Sequence, residues 1–139
     1  MKSIFLPFLF LIALTFCGDK ASSNIGTNSS EDALPIEIQK LQDGNKILLQ
    51  VNAHSGFGIQ IDVPNVISAS AKDGLVIESQ NLVFAGSPNP KKPEYYLNLK
   101  PMELTFQGKG KLILQGKIFY CDFSKNICLP GKIYRELNI

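Results

Sequence analysis

Alternation of apolar and polar residues with a period of two, broken every few residues by turn formers, most narrows what this chain can fold into. Ile36 and Ile38 flank Glu37, Ile47, Leu49 and Val51 recur at every second position, and Gln60 and Asp62 separate Ile59, Ile61 and Val63. Successive side chains of an extended strand point to opposite faces, so this pattern lays one apolar row along each strand and one polar row behind it. Further runs of strand character cover Leu75 to Glu78, Leu82 to Ala85, Tyr95 to Leu99, Glu103 to Phe106, Lys111 to Cys121 and Lys132 to Leu137. No stretch carries the i, i+3, i+4 apolar spacing of an amphipathic helix. Turn residues divide the runs at Asp43-Gly44, Ser55-Gly56, Asp73-Gly74, Gly86-Ser87-Pro88-Asn89-Pro90 and Gly108-Lys109-Gly110. About seven to nine short strands at this spacing predict an all-β fold over residues 35–139, an immunoglobulin-like sandwich, with a small barrel as the alternative. Ser87 to Pro93, with three prolines and two lysines, is the least strand-like stretch of that span. It reads either as a loop over a site or as a solvated connection.

The first residues follow a different pattern. Met1-Lys2 gives a positive start, and Ile4 to Phe16 is apolar apart from Thr15. A membrane-spanning helix needs ~20 apolar residues, and this run is shorter and is followed at once by Asp19 and Lys20, as in an export signal. Leu14-Thr15-Phe16-Cys17-Gly18 resembles a lipobox, after which the cysteine is acylated. That predicts a signal peptide over 1–16, lipid attachment at Cys17 and a flexible tether over 17–34. The tether sequence GDKASSNIGTNSSEDAL holds too few apolar residues to fold. Cleavage after Ser23, with Ala21 and Ser23 as the small residues, is the competing processing site. Either route delivers the domain to an oxidising bacterial envelope, in the periplasm or at the outer membrane.

Charge and residue counts remove several function classes. The chain carries 14 Lys plus Arg against 12 Asp plus Glu, without a long run of either sign, which argues against a nucleic-acid partner. It has one His and no Cys-x-x-Cys, so a zinc site is not expected, and nothing calls for a cofactor. Neither a carboxylate pair, nor a Ser/His/Asp set, nor a phosphate loop points to a hydrolase or transferase. Beyond Cys17 only Cys121 and Cys128 remain, and in an exported chain such a close pair favours a disulfide.

These cysteines clasp a hairpin within LILQGKIFYCDFSKNICLPGKIYREL. Alternation places Leu112, Leu114, Ile118 and Tyr120 on one face and Ile113, Phe119 and Cys121 on the other, so this is a central strand. A disulfide here closes a loop of eight residues, counting both cysteines, and contributes about 2.5 kcal/mol in the chain-entropy relation. A plain staple, an exchanging pair and free thiols all remain open. Lys117, Lys125 and Lys132 would favour a thiolate nearby and Asp122 would oppose it. His54 reads as a loop residue beside Ser55-Gly56, and Tyr95, Tyr96 and Phe119 as core or cross-strand aromatics.

Tyr120-Cys121, a short polar loop, then Cys128-Leu129-Pro130 resemble a motif of the periplasmic N-terminal domain of the thiol:disulfide interchange protein DsbD and related immunoglobulin-like domains. Gly56-Phe57-Gly58-Ile59-Gln60 with Pro64 is similar to a glycine-aromatic-His-x-Asn segment of those domains, with Gly58 and Gln60 at the His and Asn positions. The resemblance implies a redox carrier that takes electrons from a membrane-embedded partner and passes them to thioredoxin-like or other envelope oxidoreductases. It implies that Cys128 exchanges with partner thiols and that Cys121 resolves the mixed disulfide. The other expectation is a non-enzymatic envelope lipoprotein, a binding or assembly module whose disulfide is purely structural.

Overall fold

The computed structural model describes residues 34–139, and the expected signal peptide, Cys17 and nearly all of the expected tether lie outside them. The described chain is all-β, with ten strands: β1 Ile36–Asp43, β2 Lys46–Ala53, β3 Phe57–Ile59, β4 Val66–Lys72, β5 Val76–Asn81, β6 Gly86–Asn89, β7 Lys92–Leu99, β8 Met102–Gln107, β9 Lys111–Asp122 and β10 Ile127–Asn138. One antiparallel sheet has the order β1-β2-β8-β5; in the other, β9 lies between β10 on one side and β3 and β4 on the other. Relabelled A-B-E-D and G-F-C, this is the strand order of the constant-type immunoglobulin sandwich. The expected sandwich is therefore present, and β9 is the central strand.

Alternation builds the core. Ile47, Leu49 and Val51 of β2 lie beside Met102, Leu104 and Phe106 of β8 in one sheet, and Leu112, Leu114 and Ile118 of β9 with Ile59, Ile67 and Ile133 supply the other sheet's share of the same core. Burying a side chain of this size contributes about 1.5–3 kcal/mol. No polar or charged residue is buried among the described residues. Leu34, just ahead of β1, already packs on this core.

Three local expectations need correction. Leu82–Ala85 forms no strand: Leu82 and Phe84 lean on the core but the segment has no ladder partner. Val66–Lys72 does form one, β4, paired with β9 over seven residues. Ser87–Pro93, the least strand-like stretch, instead supplies the turn at Pro90-Lys91 and the adjoining strand ends of a β6–β7 hairpin that forms its own two-stranded sheet. That hairpin is tied to the end of β3 by a bridge between Gln60 and Tyr95 and by the Ile61 amide donating to the Glu94 carbonyl at 2.9 Å.

Candidate functional site

β9 and β10 pair in register over twelve residues, from Lys111–Asn138 at one end to Asp122–Ile127 at the other. The turn between them is shaped by Asp122. Its Oδ1 accepts from the Ser124 amide at 2.9 Å, the Ser124 hydroxyl at 2.6 Å and the Lys125 amide at 3.2 Å, an arrangement typical of Asx turns. Asn126 then takes a left-handed φ of 54°, which asparagine tolerates better than most residues. The Ser124 hydroxyl holds the Asp122 carboxyl below its ordinary value; desolvation opposes it, and the two backbone amides and the Lys125 ammonium add to it.

This turn sets Cys121 and Cys128 directly opposite each other, with Cα atoms 3.9 Å apart, and they are joined as a disulfide. Strand alternation points the bridge away from the apolar core: Ile118 and Leu114 fill the interior, while Cys121 belongs to the outer row with Phe119 and Lys117. The two sulfur-bearing residues are nevertheless unequal, since Cys121 is only 2% exposed and Cys128 is exposed.

Beside Cys121, over its cross-strand neighbour Gly58, an aromatic cap brings Tyr95 of β7 to Phe123. Gly58 of β3 lies opposite Cys121, and above Gly58 sit Phe123 and Tyr95, with ring centroids 5.0 Å apart in an edge-to-face pair. A Cβ at Gly58 would stand 2.6 Å from Phe123 Cζ and 2.9 Å from Tyr95 Cδ1, so only glycine lets the rings settle here. Lys92 places its Nζ 3.4 Å from the Phe123 centroid, a cation–π contact. Asn65 locks the floor: its Nδ2 donates to the Gln60 carbonyl at 2.6 Å while its Oδ1 accepts from the Phe119 amide at 2.8 Å, clamping the end of β3 to β9.

The sequence-derived site residues thus divide cleanly. Cys121 and Cys128 come together, and of Gly56–Gln60 it is Gly58 that pairs with Cys121. Lys125 answers Asp122 at 3.8 Å, Lys117 lies over Phe119 at 4.7 Å, and Lys132 pairs with Lys117 across the strands. His54 sits elsewhere, exposed beside a cavity of about 250 Å³ that Phe57, Asn89 and Tyr96 also line. Tyr96 packs on the core. Tyr95, Lys92, Phe123 and Asn65 were not legible as site residues; the prolines and lysines of Ser87–Pro93 were the one hint of a segment over a site. Among the described residues no group of three or more His, Cys, Asp or Glu side chains is placed to hold a metal ion.

The arrangement suits thiol–disulfide exchange. A thiolate that reaches Cys128 Sγ forms a new S–S bond there, the Cys121–Cys128 bond breaks, and the electron pair leaves on Cys121 Sγ, which then takes a proton. A second thiolate of the donor releases Cys128 and completes a two-electron reduction. Fold and site together define an immunoglobulin-like β-sandwich with a half-shielded disulfide on the outer face of one sheet. Comparison with protein-family models, curated proteins and solved structures finds no match for the chain.

Proposed function

We propose that this is a lipid-tethered thiol–disulfide carrier of the bacterial cell envelope, held to a membrane through Cys17 and exchanging with thioredoxin-like partners through Cys128, with Cys121 as the resolving thiol. The observation that carries the reading is the unequal exposure of two bonded cysteines, one buried beside an aromatic pair and one at the surface. A carrier needs that inequality, because it directs attack to one sulfur and shelters the other from oxidants between encounters.

Placement supports the same reading. In antibody domains the conserved disulfide crosses the core and joins the two sheets. Here the bond joins neighbouring strands already laddered over twelve residue pairs. Its short loop adds about 2.5 kcal/mol, whereas a bridge from β2 to β9 closing about 70 residues would add about 4.4 kcal/mol by the same relation. The burial of Cys121 favours a second reading, an envelope binding module with an inert staple, since a covered sulfur also resists reduction.

Reduction potential separates the two. Structural disulfides of exported proteins lie below about −300 mV, and exchanging pairs lie higher. A carrier equilibrates with thioredoxin, near −270 mV, and Cys121→Ala traps a mixed disulfide through Cys128 whereas Cys128→Ala traps poorly. A pair that resists reduction until well below −300 mV, with neither variant trapping a partner, would establish the staple instead.

A further inference from the structure

The outer face that presents Cys128 is also an apolar step flanked by unanswered positive charge. Three cross-strand rows run along it. Gly58, Cys121 and Cys128 form the first, Phe119 and Pro130 the second, and Val66, Lys117 and Lys132 the third. Phe119 is half-buried, Pro130 is exposed, and Val66 is 54% exposed despite being aliphatic.

Lys117 and Lys132 are directly opposed like charges, which destabilise a ladder. Neither joins an ion pair among the described residues, although Lys111 of the same strand meets Glu136 at 3.6 Å and Lys125 meets Asp122 at 3.8 Å. On the opposite flank of the disulfide Lys92 adds a third positive charge above Phe123. Among the described residues no carboxylate therefore answers Lys117, Lys132 or Lys92 on this face, whereas Asp122 answers Lys125 in the turn.

We propose that this face docks an acidic, thiol-bearing surface of a partner protein, whose carboxylates meet Lys117 and Lys132 while an apolar residue covers Phe119, Pro130 and Val66. The inference rests on the carrier reading and names that carrier's partner by its chemistry. Lys132 lies four residues from Cys128, roughly 13 Å along the strand, so one short extended segment spans both. The benefit to exchange is an electrostatic one, acting on encounter and register, and it weakens with salt.

The test uses the oxidised full chain and three extended peptides identical except that Glu, Gln or Lys stands four residues from a single cysteine. The Glu peptide should exchange about tenfold faster than the Lys peptide at low ionic strength, and the ratio should approach one near 1 M salt, where the screening length is about 3 Å. Lys117→Gln with Lys132→Gln should remove most of the ratio in a protein whose β spectrum is unchanged, since it takes away the two opposed charges and leaves Lys92. Equal rates for the three peptides overturn the docking inference and leave the carrier reading intact. Absence of exchange with all three counts against the carrier, and docking is then read from the Glu peptide with Ser for Cys. Shifts of the Lys117, Phe119 and Lys132 amide resonances on adding that peptide support docking, and unmoved resonances overturn it. Lysine-dependent binding of phosphatidylglycerol vesicles in place of the peptide assigns the face to a membrane and also overturns it.

Discussion

If the cap of Phe123 and Tyr95 shields Cys121, removing it should expose one cysteine and leave the other unchanged. An edge-to-face aromatic pair contributes about 0.5–1.5 kcal/mol and an exposed cation–π contact about 0.5–1 kcal/mol. Both converge on Phe123, so the closed cap is favoured by roughly 1–2.5 kcal/mol, and at 1.4 kcal/mol per factor of ten it slows reaction at Cys121 about fivefold to sixtyfold. The assay is alkylation of single-cysteine proteins by a small neutral reagent. Cys121 in Cys128→Ser should react roughly tenfold or more slowly than Cys128 in Cys121→Ser, and adding Phe123→Ala should remove most of that protection. Cys128 should be indifferent to Phe123→Ala, because it is already exposed. Equal rates for the two cysteines, or an unchanged Cys121 rate in a folded Phe123→Ala protein, would refute the cap.

Three further outcomes are expected. Asn65→Ala leaves the Gln60 carbonyl and the Phe119 amide without their partner and should lower unfolding stability by about 1–3 kcal/mol in urea titration, with β3 loosening first. The Asp122 carboxyl is depressed in the folded state, so its contribution is present above the unfolded value near 3.8 and is lost as pH falls through the lower folded value; Asp122→Asn should flatten the acid limb of the stability curve below pH 4. Cys17→Ala should abolish acyl labelling, and a wild-type mature protein starting at Asn24 with a free amine would place cleavage after Ser23 instead.

Strands with one large aliphatic row were legible, as Ile47, Leu49 and Val51 or Leu112 and Leu114 show. β4 was missed because its inward row is Ile67, Ala69 and Ala71, and alanine marks a face weakly even where it packs on the core. Leu82–Ala85 alternates as a strand does, with Val83 66% exposed between two half-buried neighbours, yet alternation reports burial and not ladder pairing. The prolines of Ser87–Pro93 suggested a break, but a two-stranded ribbon outside both sheets has few ladder bonds for proline to forfeit. The cysteine pair could be read because its partners lie close in sequence. The cap could not, since Tyr95 and Lys92 reach Phe123 through tertiary packing that no local pattern records.

A carrier must stay folded in both redox states, and the position of this bridge bears directly on that demand. Cys121 stands outside the apolar core cluster, and the core contains no buried polar group that reduction would disturb. Reduction removes the loop constraint worth about 2.5 kcal/mol but leaves the β9–β10 ladder, whose turn is held by Asp122 independently of sulfur. With a urea m-value of about 1–3 kcal/mol/M for a small domain, the midpoint should fall by about 0.8–2.5 M while the β spectrum below the transition stays unchanged. Two free thiols then remain on one strand pair, close enough to re-form the bond on losing two electrons and two protons. Collapse of the sheet signature on reduction would make the disulfide a condition of folding, and a domain that unfolds each time it accepts electrons is no carrier.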